Sequence, residues 1–360
     1  MPTQLLGLTR DELRGLAVEW GLPAYRGSQL YHAVYAERRF DFAQMSNLPR
    51  ALRERLAREA VVGLPRLGKR FASVDGTIRY LFRLDDAKKV ETVWMPEDDR
   101  QTLCLSTQAG CAVLCRFCAT GLLGLLRNLS AAEIVGQVLA ALEDNHAHLR
   151  PVTNVVLMGQ GEPLLNYEAT LGAVRLMADP EGMNIPWRRI TLSTSGILPG
   201  IRRLAAEPQR PRLAISLNAT TEEQRRELMP VTRKYHLTEL MEACRRYPLR
   251  PWERLTFEYV LLGGVNDSSQ DAERLIRLLR GFRANVNLIP WNPTPSLPFH
   301  APDPSQVENF QQTLRGAGLL AFIRKPRGQD IYAACGQLAS MDAPLIQPIS
   351  TSGAASPSLN

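Results

Sequence analysis

Cysteine is scarce in this chain, with 6 residues among 360, and at that density the fold cannot rest on a disulfide framework. No stretch approaches the ~20 consecutive apolar residues that a membrane helix needs. The opening MPTQLLGLTRDELRG carries acid and base where a signal peptide would be apolar. A cytoplasmic protein with no membrane partner is therefore expected. The 5 histidines show neither metal-ligand spacing nor a Ser/Asp partnership of the hydrolytic kind. No repeat of fixed period is present, which excludes a solenoid. Lysine is sparse beside arginine, an excess that fits phosphate recognition and equally a GC-rich genome. The charge balance, 43 Lys and Arg against 36 Asp and Glu, leaves +7, which suits a phosphate-bearing partner.

What is present reads as a small helical segment followed by a larger α/β body. Residues 1–65 hold three helix patterns, Thr9 to Trp20, Gly27 to Glu37 and Pro49 to Glu59, separated by Gly-Leu-Pro and Ser-Asn-Leu-Pro breaks. Residues 66–100 change to β-like runs, TIRYLFRL and VETVWMP, and predict a hairpin linker. From residue 101 to 340 the strand candidates TLCLST, TNVVLM, RITLST, RLAISL, LTFEYVLL and ANVNLI alternate with helix patterns. Six such units predict a parallel sheet curled as a partial barrel, with chemistry in the loops after the strand C-termini. Residues 341–360, rich in Ser, Pro and Ala, read as a disordered tail.

Cys111, Cys115 and Cys118 form C-x3-C-x2-C just after the first of these strands. Structural zinc would need a fourth ligand, usually from a second paired knuckle, and no second C-x2-C exists. Three thiolates with one position left open fit a 4Fe-4S cluster that keeps one iron free for a substrate. Cys104 on its strand and Cys335 in an Ala-Ala-Cys sequence read, on their own, as small buried hydrophobes, and Cys244 in LTELMEACRRY as structural. Alternation along TLCLST points the Cys104 thiol away from whatever Leu103 and Leu105 pack against.

This chain resembles the radical S-adenosylmethionine (SAM) superfamily, whose hallmark is C-x3-C-x2-C after the first strand of a partial (β/α)6 barrel. Within it, CLSTQAGCAVLCRFCATG, LMGQGEPLLNYE, ITLSTSG, AISLNATTEEQRRELMPV, NLIPWNP and IRKPRGQDIYAACGQL are similar to the RlmN/Cfr family of RNA adenosine methyltransferases. YRGSQLYHAVY resembles that family's RNA-facing accessory domain. The resemblance implies one 4Fe-4S cluster on Cys111, Cys115 and Cys118, and SAM contacts at Gly161, Glu162, Ser193, Ser216, Leu217, Asn218 and Asn292. It implies two SAM molecules per turnover: one methylates Cys335, and the other yields a 5′-deoxyadenosyl radical that activates the S-methyl group for attack on an adenine ring carbon. Cys104 is the implied resolving thiol, which releases the product by forming a disulfide with Cys335, and Glu91 the implied proton acceptor.

The implied substrate is 23S rRNA at the peptidyl transferase centre, with the tRNA anticodon loop as a further one and a flavodoxin-type protein as electron donor. Carbon 2 is expected over carbon 8 because RKPRGQDIYAACGQL and NLIPWNP look more like the carbon-2 branch. Two departures stand out: Asn218 where the family commonly has His, and Gln160 where Met is frequent. The alternative from another class is a non-enzymatic RNA-binding protein with structural zinc.

Overall fold

The computed structural model describes residues 2–294 and 297–340; the tail expected over 341–360 lies outside them. The first helices follow from local rules. Thr9 caps α1 (Arg10–Glu19) in a reciprocal box in which Glu12 accepts from the Thr9 N–H at 2.7 Å. Helix α2 (Tyr25–Tyr35) takes in Gly27 rather than starting there. It crosses α1 so closely that a Cβ on Gly27 would meet the Leu13 carbonyl oxygen at 2.2 Å, so a glycine is required there. Helix α3 (Arg50–Glu59) completes the set, and short parallel strands β1 (Thr3–Gln4) and β2 (Ala60–Val61) tie its two ends together.

Where a hairpin was expected there are three antiparallel strands, β3 (Arg66–Ala72), β4 (Ile78–Arg83) and β5 (Lys89–Pro96), and they continue the main sheet. The extra strand β3 is an edge with almost every side chain exposed. It therefore carries no apolar alternation by which it could be read.

The body continues with β6 (Arg100–Cys104), a small hairpin of β7 (Gln108–Gly110) and β8 (Leu125–Asn128), β9 (Val152–Leu157), β10 (Ile190–Thr194) and β11 (Arg212–Ser216). Then come β12 (Leu255–Leu261), β13 (Ala284–Pro290) and β14 (Leu320–Ile323). The sheet order is β14-β13-β12-β11-β10-β9-β6-β5-β4-β3; the first seven run parallel, and the antiparallel strands extend one end. Its connections carry α4 (Ala119–Leu122), α5 (Ala131–Asp144), α6 (Tyr167–Ala178), α7 (Leu198–Ala206), α8 (Glu222–Leu228), α9 (Leu237–Arg245), α10 (Ser269–Leu279) and α11 (Pro304–Gly316). Parallel strands curl around an interior with helices outside, the partial barrel expected from the sequence. Among the described residues no helix is long and apolar enough to cross a membrane.

Alternation in β6 sorts its residues as the sequence predicts. Leu103 and Leu105 join the main core, while Cys104 faces a small inner cluster with Val93, Ile331, Ala333 and Leu338. Each fully buried leucine contributes about 2 kcal/mol of burial, which fixes the strand's facing and hence the direction of the thiol. A buried glutamine on α5 then anchors the loop that leaves β6. Gln137 accepts from the Ser106 N–H at 2.9 Å and donates to the Ser106 carbonyl at 2.9 Å.

Candidate active site

The cysteine loop leaves β7 and returns through α4, and its backbone is held from three sides. The Cys111 N–H donates to Gly124 O at 2.8 Å, the Arg116 N–H to Leu228 O at 3.0 Å, and the Trp291 indole N–H to Phe117 O at 2.9 Å. All three thiols, half-buried, open on one cavity of about 560 Å³ inside the curl of the sheet. Burial pushes the Cys111 thiol up to about 12 and raises the Cys115 thiol well above its ordinary value.

The second wall is the loop after β9. Gly161 has φ +101°, and a Cβ there would meet Gln108 Cβ at 2.6 Å, so only glycine lets the two loops close. Glu162 follows, buried, with Oε2 accepting from the Ser195 N–H and hydroxyl at 2.7 Å each and Oε1 accepting from the Leu164 N–H at 3.1 Å. Burial raises its carboxyl while the Ser195 donors pull it back. Ser193 and Ser216, on adjacent strands, bring their hydroxyls to 3.2 Å on the cavity wall.

Asn218 takes φ +57°, a conformation Asn tolerates better than most residues. Its Oδ1 accepts from the Val260 N–H at 2.9 Å and its Nδ2 reaches Met229 Sδ at 3.4 Å, so the side chain bridges to β12 as well as lining the cavity. Leu217 is fully buried in the main core, with its N–H on Glu258 O and its carbonyl taken by Arg225. The structure does not bring it to the cavity wall.

Two further thiols, Cys104 and Cys335, come from distant parts of the chain to the same cavity. Cys335 is exposed, but toward the cavity and enclosed by protein, so desolvation raises its thiol, with Glu258 adding to the effect. Cys104 is buried, and burial first, then the neighbouring Cys335, pushes its thiol well above the ordinary range. The Cys335 segment is bound to the cysteine loop. Gly336 O accepts from the Ala119 N–H at 2.7 Å and Leu338 O from the Thr120 hydroxyl at 2.6 Å. Asn292 lines the cavity, donates to Cys335 O at 3.1 Å and accepts from Gln329 Nε2 at 2.8 Å.

Glu91 lies behind the wall rather than on it. Fully buried, it is ion-paired with Arg79 and accepts from the Ser340 N–H at 2.8 Å and from Gln160 Nε2 at 3.3 Å. Burial raises its carboxyl, against the pull of Arg79. Gln160 is thus a partner of Glu91, a contact that Met at that position could not donate. Cys244 packs in the main core, away from the cavity.

Two residues passed over in the sequence belong to this centre. Glu258, buried on β12, lines the cavity beside Arg324, and Asn287 Nδ2 donates to it at 2.9 Å. An acid inside the apolar run LTFEYVLL was a legible signal. Arg225 is fully buried and donates to the carbonyls of Ser195, Ser216 and Leu217, stitching the ends of β10 and β11 together. Its signal was weak, because EEQRREL reads as a solvated helix.

The donor set suits an iron–sulfur cluster. Among the described residues no three His, Cys, Asp or Glu side chains converge closely enough to share one metal ion. Three soft thiols along one cavity wall, facing serine, asparagine and glutamate, are what such a cluster and a polar ligand on its open iron would take.

Comparison with known proteins agrees. Residues 105–279 match the model of the radical SAM superfamily, and residues 3–62 that of the ribosomal RNA large subunit methyltransferase N-terminal domain. A protein of Koribacter versatilis described as a probable dual-specificity RNA methyltransferase RlmN is 54% identical, across 88% of this chain and 96% of its own. The dual-specificity RNA methyltransferase RlmN of Anaeromyxobacter dehalogenans is 47% identical, across 94% and 92%. A crystal structure of a radical SAM methyltransferase from Sphaerobacter thermophilus superposes with a TM-score of 0.91 at 48% identity, covering 94% of this chain and all of that one.

Proposed function

The chain belongs to the RlmN family of radical SAM RNA methyltransferases, and from that premise we propose that it methylates carbon 2 of an adenosine in 23S rRNA and of one in the tRNA anticodon loop. The family implies a 4Fe-4S cluster and SAM; Cys111, Cys115 and Cys118 would hold the cluster, and Gly161, Glu162, Ser193, Ser216, Asn218 and Asn292 would surround SAM. Together these groups supply, when bound and reduced by a flavodoxin-type donor in the cytoplasm, the radical chemistry that an electrophilic ring carbon demands, at two SAM per turnover. Residues 1–65 serve as the RNA-facing accessory domain, 66–100 as its link, and 101–340 as the catalytic barrel.

The observation that carries this reading is the shared cavity. Cys335, Cys104 and the cysteine triplet all open on it, which is the requirement for a methyl group that is carried on one sulfur and released by another. Cys335 takes the methyl on its sulfur and loses the thiol proton. Once a hydrogen atom has been removed from that methyl and its carbon has bonded to the ring, loss of the ring proton and of one electron, for which the bound cluster would be the acceptor, leaves protein and RNA joined through a methylene. The Cys104 thiolate then attacks the Cys335 sulfur: the S–S bond forms, the S–C bond breaks, and the electron pair leaves with the carbon, which gains a proton to become methyl. Burial keeps Cys104 protonated, and so unreactive, until its proton is removed. Glu91, held behind the wall by Arg79, Gln160 and the Ser340 N–H, is the proton acceptor for this release, receiving the proton through the groups between it and the cavity and not by touching the ring.

Mass spectrometry of nucleosides tests the assignment. Ribosomal RNA and tRNA from cells lacking the gene should lose 2-methyladenosine and regain it on complementation. Appearance of 8-methyladenosine instead would move the chemistry to the other ring edge.

A further inference from the structure

The cavity has two ends, and the chemistry described above occupies one. Cys115, Ser195, Asn218 and Asn292 follow the C-terminal ends of the strands. Arg212 is the first residue of β11, and Arg188 and Arg189 immediately precede β10, so the same cavity is lined at its opposite end by these arginines. From Arg212 to Ser216 the strand rises roughly 13 Å. Arg324 and Lys325, on the segment leaving β14, line it too.

Arg188, Arg189, Arg212 and Lys325 form no ion pair among the described residues, whereas Arg324 stands beside Glu258, and Arg100 and Arg327 nearby are taken by Glu97 and Asp75. Beside Arg212, in the turn before β12, stands Trp252, half exposed, with the guanidinium carbons of Arg212 and Arg250 5.5 and 5.6 Å from its ring centroid. Trp252 does not line the cavity itself, but through Arg212 it sets a half-exposed aromatic beside the lining arginines, a combination that suits an anionic, stackable partner.

We propose that this rim, formed by Arg188, Arg189, Arg212 and Trp252 at the N-terminal ends of β10, β11 and β12, is where the RNA strand docks, so that the target adenosine enters the cavity from the end opposite the cysteine triplet. The proposal rests on the RNA-methyltransferase reading and adds the direction of entry. The arginines take the phosphates flanking an extruded nucleotide and Trp252 takes a neighbouring base. An adenosine entering this way advances toward Cys335 while the upper wall stays closed around SAM.

The test uses reconstituted holoenzyme and a fluorescein-labelled RNA hairpin with an adenosine in its loop. In the triple variant R188A/R189A/R212A the slope of log affinity against log salt should become shallower by about 2, since single strands lose about 0.7 per phosphate contact. Trp252→Ala should bind about tenfold more weakly and Trp252→Phe should recover most of that loss. A control triple, R203A/R246A/R277A, removes the same charge from outer-helix arginines that are ion-paired with Glu168, Glu242 and Glu273, and should keep the wild-type slope. Unchanged affinity and slope in the rim variant, with wild-type enzyme binding and methylating RNA, overturns the docking rim alone. Failure of the wild-type enzyme to methylate RNA would instead overturn the activity on which it rests.

Discussion

The Asn292 side chain donates to the main-chain carbonyl of Cys335 at 3.1 Å while accepting from Gln329 at 2.8 Å. One asparagine after β13 therefore fixes the backbone of a thiol that the chain reaches only much later. Removing it takes away two part-buried hydrogen bonds, worth about 1 kcal/mol each. Asn292→Ala should loosen residues 328–338, seen as faster hydrogen exchange there, and should reduce the fraction of Cys335 carrying a methyl group, seen as a 14 Da shift of its peptide.

Replacement of Cys111, Cys115 or Cys118 by Ala should abolish iron loading, since three thiolates are the minimum that holds the cluster with one iron open. Iron and sulfide assayed after anaerobic reconstitution report this directly. A full complement in Cys115→Ala would assign the cluster to other ligands.

Glu91 pairs with Arg79 in a fully buried setting. Glu91→Gln leaves the guanidinium without its counter-charge, so thermal or urea denaturation should register a loss of about 3–5 kcal/mol. The same variant should clear the protein–RNA adduct more slowly than wild type, because the release step loses its proton acceptor. Normal clearance with lowered stability would confine Glu91 to a structural role.

Much of this centre could be read from the chain beforehand. The triplet, the Gly-Gln-Gly-Glu-Pro loop and the strand-to-loop positions of Ser193 and Asn292 are local patterns, and the facing of Cys104 followed from its two leucine neighbours. Glu258 and Arg225 could not be placed, because their roles depend on which strands become adjacent and not on spacing along the chain. Leu217 and Glu91 stand at motif positions yet lie behind the wall, a matter of side-chain direction that the motif does not carry. Strand β3 escaped notice because an exposed edge shows no apolar alternation.

Cys244 offers a measure of burial outside the reaction centre. Packing lifts its thiol from 9.0 to about 12. Above about pH 9 the unfolded chain releases that proton and the folded chain keeps it, so stability falls as pH rises through this window and is intact below it. Cys244→Val should flatten the decline in melting temperature between pH 9 and 11, measured by calorimetry against the parent protein.

The transfer through sulfur is tested most directly by Cys104→Ala beside Cys335→Ala. Protein purified from cells would be run on denaturing gels with and without ribonuclease, with cluster content and Cys335 methylation checked in parallel. Cys104→Ala should carry ribonuclease-sensitive RNA bound through a methylene on Cys335, and Cys335→Ala none. Two simple losses of buried packing would cost stability in each variant and crosslink RNA in neither. Absence of the RNA-linked species from Cys104→Ala, with the cluster intact and Cys335 methylated, would contradict release by Cys104.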